Sequence, residues 1–139
     1  MLLGPLRVAS LYRTAPIGPV PQPDFLNTAA TGATGLAPEE LLAAARALER
    51  AAGRTTPGPR FGPRPLDVDL LLYGDRVTAS PELTLPHPRL SERRFVLVPL
   101  AEIAPDWRVP PGGKTVAELL RTTEDEGRVE RVGWSPDRT

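Results

Sequence analysis

Apolar and polar residues alternate from Leu6 to Thr14, with Leu6, Val8, Ser10 and Tyr12 on one face and Arg7, Ala9, Leu11 and Arg13 on the other. A period of two predicts a strand. Phe25 to Thr34 predicts a weaker strand, because its Ala and Gly residues suit a pleated surface poorly. The clearest helix runs from Pro38 to Ala52. Pro38 fits the first turn, Glu39 and Glu40 sit at the positive end of the helix dipole, and Gly53 closes it. Leu41, Ala45, Leu48 and Ala52 line its predicted core face. Leu66 to Tyr73 predicts a strand ended by a Gly74-Asp75 turn, and residues 81–88 an extended run. A helix over 91–104 interrupted by Pro99, a short helix over 115–121 and an edge strand over 127–134 follow, with 135–139 frayed. Residues 15–24 and 54–65 each hold four prolines and read as stiff connections. The mixture predicts an α+β sandwich, one domain over residues 1–139.

Composition narrows the chemistry. The chain has 17 basic and 17 acidic side chains, so no global field draws it to nucleic acid or a membrane. No apolar run approaches the ~20 residues of a bilayer helix, and the first five residues lack the features of an export signal. These patterns predict a cytoplasmic protein without a membrane partner. Cysteine is absent, which excludes disulfides, thiolate metal sites and a thiol nucleophile. Basic residues are arginine except for Lys114, a bias that favours planar, multi-donor anion binding.

The most informative stretch is Arg60-Phe61-Gly62-Pro63-Arg64-Pro65-Leu66-Asp67-Val68-Asp69-Leu70-Leu71. In a strand, Leu66, Val68, Leu70 and Leu72 enter the core while Asp67 and Asp69 face the other way, their Cα atoms roughly 6.5–7 Å apart. Such a pair is either a solvated strand face or a seat for two hard cations about 3.5–4 Å apart, as in phosphoryl transfer. Arg54, Arg60 and Arg64 immediately precede it. They form either a surface ion-pair cluster or the guanidinium half of a polyphosphate site, in which Mg²⁺ bridges carboxylate to phosphate. The chain has no Gly-x-x-x-x-Gly-Lys-Ser/Thr loop and no Gly-x-Gly-x-x-Gly. Phosphates would therefore be held by metal and arginine rather than by a backbone cradle.

Residues 60–71 resemble the signature of the 6-hydroxymethyl-7,8-dihydropterin pyrophosphokinase (HPPK) family of folate biosynthesis. Further stretches resemble that family in the same order: Leu11 to Gly18, Pro23 to Asn27, Leu48 to Arg54, Leu85 to Pro88 and Arg93 to Pro105. The likeness covers roughly residues 6–112. It implies a ferredoxin-like αβ sandwich with an antiparallel sheet, and transfer of pyrophosphate from ATP to the pterin hydroxymethyl group, leaving AMP. Carried over by position, it implies that Asp67 and Asp69 hold two Mg²⁺ and that Arg54 and Arg64 are catalytic. Glu49, Phe61, His87 and Arg93 join those arginines around ATP. Thr14, Ala15, Ile17 and Asn27 read the pterin edge, and Phe25 and Phe95 sandwich its ring. Taken singly, the two Phe would be core, Asn27 a turn residue, His87 a surface histidine and Glu49 a solvated charge.

Departures from the family pattern are also legible. Thr56 and Phe61 stand where members usually carry Arg and Trp, with Arg60 close enough to compensate for Thr56. The family's first strand, Gly-Ser-Asn turn and first helix have no counterpart before Leu6. A start codon upstream of Met1, a shortened sequence or a second chain filling the gap would each explain this. The upstream start fits best, because Leu2-Leu3-Gly4-Pro5 reads as a helix end. The alternative to an enzyme is a remnant that only binds nucleotide or scaffolds folate enzymes. An RNA-recognition domain shares the topology, but seven scattered aromatics and an acidic pair in mid-strand argue against it.

Overall fold

The computed structural model of the chain describes residues 6–14, 24–53 and 66–132. The strand expected over 6–14 is broken into β1 (Arg7–Val8) and β2 (Tyr12–Thr14). The break follows from Ala9 and Ser10, which are both fully buried, so the chain cannot keep alternating through them. Ala9 N donates to Ala29 O, whereas Ser10 N donates to the Glu102 carboxylate instead of a neighbouring strand. The weak segment 25–34 resolves into β3 (Phe25–Asn27) and β4 (Ala30–Thr31).

Helix α1 spans Pro38–Ala51, one residue short of expectation, and Glu40 Oε1 accepts from Ala37 N at its start. Its buried face is rotated from the predicted one. Pro38, Ala45 and Glu49 are buried, while Leu48 is 59% exposed. The Gly74-Asp75 turn is present, with Arg76 N donating to Tyr73 O. Two antiparallel hairpins are additions that sequence reading did not separate. One joins β5 (Thr78–Ala79) to β6 (Thr84–Leu85), the other β7 (Arg108–Val109) to β8 (Lys114–Thr115).

A turn of 3₁₀ helix at Leu90–Glu92 leads into α2 (Arg94–Ile103). Pro99 lies inside α2 and is buried, so the helix runs through a residue that cannot donate to the Phe95 carbonyl. Helix α3 (Val116–Thr122) carries a complete capping box between Thr115 and Glu118. β9 (Val129–Arg131) pairs antiparallel with β2 and forms the expected edge of the order β3-β2-β9.

Leu90, Leu97, Leu100 and Val116 form the core where α2 meets α3, with Leu71, Leu72, Trp107 and Leu119 packed around it. The result is a mixed α and antiparallel-β fold. Among the described residues no helix is long and apolar enough to cross a membrane.

Residues 66–73 depart from the sequence reading. They form no strand ladder among the described residues. Their backbone groups are taken up elsewhere: Val68 N by Glu49, Val68 O by Arg46, and Leu71 O by His87 N. Leu66 stays 37% exposed, and neighbouring Leu71 and Leu72 both pack on the core, which strict alternation forbids.

Candidate functional site

The two aspartates are both exposed, and neither enters the apolar interior. Between them Val68 N donates to Glu49 Oε2 at 2.7 Å. Glu49 lies on the inner face of α1 and is only 1% exposed. The same Oε2 accepts from Arg46 Nη1 at 3.0 Å, and that guanidinium group also donates to Val68 O. Glu49 is thus a buried carboxylate satisfied by protein groups rather than the solvated charge its helix position suggests. It fixes the peptide on which the acidic pair is mounted.

His87 is brought alongside the same segment by the bond from its backbone N to Leu71 O at 2.9 Å. Burial lowers the pKa of the ring, and Arg93 and Arg89 push in the same direction against the opposing Asp69 charge. Nδ1 accepts from Arg89 N at 3.2 Å, which assigns the proton of the neutral ring to Nε2. A neutral histidine in that tautomer presents a donor.

Arg93 occupies the N-cap position of α2, and its guanidinium carbon sits 5.6 Å from the Phe95 ring centroid. It also lines a hollow of about 710 Å³ with Arg89, Lys114, Glu124 and Asp125. The start of α2 is held by Asp125, whose Oδ2 accepts from Arg94 N at 2.8 Å and whose Oδ1 accepts from Gly127 N. An Asp two residues before a Gly is a turn signal that could have flagged this anchor.

On β2 and β3, Thr14 is 2% exposed, and its Oγ1 accepts from Asn27 Nδ2 at 2.6 Å. Asn27 is therefore a strand residue with an oriented amide, not the turn residue its type suggests. Phe25 lies opposite Thr14 in the ladder and is 46% exposed, and Phe95 is half-buried in the first turn of α2. Neither joins the core. Helix α2 packs against both β2 and β3. Ala15, Ile17, Arg54, Thr56, Arg60, Phe61 and Arg64 lie outside the described residues.

The donor set suits a hard cation only with help. Among the described residues no group of three or more His, Cys, Asp and Glu side chains could hold a metal. Two exposed carboxylates supply oxygen alone and leave room for water and phosphate oxygens, which is the coordination Mg²⁺ favours. The residues fit Mg²⁺ carried in by a polyphosphate better than a cage built by the protein.

Residues 2–105 match the family model for 7,8-dihydro-6-hydroxymethylpterin-pyrophosphokinase. The 2-amino-4-hydroxy-6-hydroxymethyldihydropteridine pyrophosphokinase of Synechocystis sp. is 48% identical over 118 residues, which cover 85% of this chain and 60% of the relative. The protein of the same name from Pseudomonas aeruginosa is 45% identical over 125 residues, covering 90% of this chain and 75% of the relative. A mitochondrial folate synthesis bifunctional protein of Arabidopsis thaliana is 50% identical over 97 residues, 70% of this chain and 17% of the relative. The chain thus spans about 60% of the length of the Synechocystis relative.

Proposed function

The chain belongs to the 7,8-dihydro-6-hydroxymethylpterin-pyrophosphokinase family, and on that premise we propose that it transfers pyrophosphate from ATP to the hydroxymethyl group of 6-hydroxymethyl-7,8-dihydropterin. The hydroxymethyl oxygen bonds to the β-phosphorus, the bond from that phosphorus to the oxygen shared with the α-phosphate breaks, and its electron pair leaves with AMP. The hydroxyl proton passes to solvent.

The observation that carries this reading is the mounting of Asp67 and Asp69. Both are exposed, on a segment pinned from behind by buried Glu49 and flanked by His87. Asp67 and Asp69 are the residues that would hold two Mg²⁺, whose chemistry is to neutralise the triphosphate and polarise the β-phosphorus. Glu49 acts on the nucleotide through Val68. His87 donates from Nε2 to a phosphate oxygen or to the leaving group, and Arg93 takes phosphate oxygens at the start of α2. Arg54, Phe61 and Arg64 complete the nucleotide side, the two arginines stabilising charge in the transition state. On the pterin side Thr14 holds Asn27 so that its amide both donates to and accepts from the ring edge, beside Ala15 and Ile17. Phe25 and Phe95 clamp the ring faces.

The same reading places these parts on one domain with a ferredoxin-like sandwich and assigns the work to the cytoplasm, where Mg²⁺ and ATP are supplied together. Purified chain supplied with ATP, the pterin and Mg²⁺ should release AMP only when all three are present. A folded protein that makes no AMP refutes the activity. A second reading, a remnant that binds nucleotide without turnover, is favoured by the missing strand ladder at 66–73 among the described residues. It predicts calorimetric binding of an ATP analogue and no AMP.

A further inference from the structure

Glu102 lies near the far end of α2, seven residues beyond the candidate ring contact Phe95, and is itself no candidate ligand contact. Its carboxylate nevertheless collects three donors from the strand side. Oε2 accepts from Ser10 N at 2.9 Å and Ser10 Oγ at 3.1 Å, and Oε1 accepts from the Tyr12 hydroxyl. Ser10 and Tyr12 are both buried. Only an acceptor with two oxygens can take all three bonds, so the choice of a carboxylate follows from the geometry.

We propose that Glu102 is a positioning residue for the pterin subsite, locking α2 onto β2 so that Phe95 keeps a fixed setting relative to Thr14 and Asn27. The proposal rests on the pterin-binding reading above. Thr14 is two residues along the chain from Tyr12, and its hydroxyl holds the Asn27 amide. Phe95 is seven residues before Glu102 in the same helix, about 10 Å away along the axis at 1.5 Å per residue. Asp125 secures the N-terminal end of α2, and Glu102 ties the other end to the strand that leads into the subsite. Arg131, opposite Tyr12 on β9, adds its charge to the hold on the carboxylate. With Glu102 gone the helix pivots about its capped end, and the faces that must grip a flat ring lose their spacing.

The test compares Glu102→Ala, Glu102→Gln and Tyr12→Phe with the unaltered full chain, at a temperature where circular dichroism shows each to be folded. Two dissociation constants are read for each: 6-hydroxymethyl-7,8-dihydropterin by fluorescence in the presence of a non-hydrolysable ATP analogue, and the Mg²⁺ complex of that analogue alone. Glu102→Ala should weaken pterin binding by about tenfold, the loss expected when one aromatic face no longer stacks on the ring. Affinity for the analogue should stay within about twofold. Glu102→Gln, which can still accept from Ser10, and Tyr12→Phe, which spares both Ser10 bonds, should recover most of the loss. A merely structural role would lower the melting temperature and leave the ratio of the two affinities unchanged, which overturns the proposal. If the alanine variant does not fold, Glu102→Gln, which keeps only one of the two accepting oxygens, is read in its place: pterin affinity lowered about twofold or more with analogue affinity unchanged supports the proposal, and an unchanged ratio overturns it. Unaltered protein that binds pterin but releases no AMP removes the catalytic reading alone, and a changed affinity ratio still supports the positioning role. Unaltered protein that binds no pterin overturns both.

Discussion

Replacing Glu49 by alanine removes a carboxylate that is 1% exposed and that accepts from Val68 N at 2.7 Å and Arg46 Nη1 at 3.0 Å. A hydrogen bond to a charged partner contributes about 1.5–3 kcal/mol, and the Val68 bond, short and buried on the acceptor side, belongs in the middle of that range. The Arg46 side chain is 44% exposed, so solvent screening holds its ion pair below about 1 kcal/mol. Together the change should destabilise the fold by about 3 kcal/mol, a fall in melting temperature of about 10 °C for a domain of this size. Glu49→Gln keeps an oxygen acceptor and gives up the charge, so it should lose about 1 kcal/mol. Urea unfolding followed by circular dichroism measures both. Calorimetric titration with the Mg²⁺ complex of an ATP analogue should show weaker binding in the alanine variant even where it is fully folded, because the Asp67–Asp69 segment is then held at one point fewer. An alanine variant within about 0.5 kcal/mol of the parent, with unchanged analogue affinity, would refute the reasoning.

Other consequences follow from the same geometry. Burial and the neighbouring Glu102 carboxylate push the Tyr12 hydroxyl up to about 12, so the unfolded chain releases that proton first as pH rises past 10. Stability should fall between about pH 10 and 12 by about 2–3 kcal/mol, and Tyr12→Phe should flatten that limb in alkaline urea titrations. Glu102 shifts the other way: burial would raise its pKa, but the bonds from Tyr12 and Ser10 outweigh it, so its contribution is present above the ordinary carboxylate range and is lost as pH falls through its folded value. Thr115→Ala removes the acceptor for Glu118 N and should cost about 1 kcal/mol of thermal stability without changing ligand affinity. Leu97→Ala, at a fully buried core position, should cost about 3–4 kcal/mol in urea unfolding.

What the sequence made legible is what depends on neighbours in the chain. The start of α1 and the Gly74 turn follow from local backbone rules, and both are where those rules put them. Both aspartates are exposed, although the strand from which their shared face was expected is not formed among the described residues. Contacts between distant residues were not legible. The Ser10–Glu102 bond spans 92 positions, and it is what diverts the backbone between β1 and β2. Burial of Glu49 was hidden for the same reason, since a helix period carries no information about the peptide group of Val68 waiting to be capped. The ladder expected over 66–73 depended on a pairing that side chains and His87 have replaced among the described residues.

The most direct test of the account follows the phosphorus atoms. ATP labelled at either the β- or the γ-position is incubated with the chain, Mg²⁺ and 6-hydroxymethyl-7,8-dihydropterin, and the products are separated. Pyrophosphoryl transfer predicts that both labels end on the pterin while the AMP is unlabelled, and that Asp67→Ala or Asp69→Ala stops the appearance of either product. Label in free phosphate or in ADP, or undiminished transfer by the aspartate variants, would contradict it.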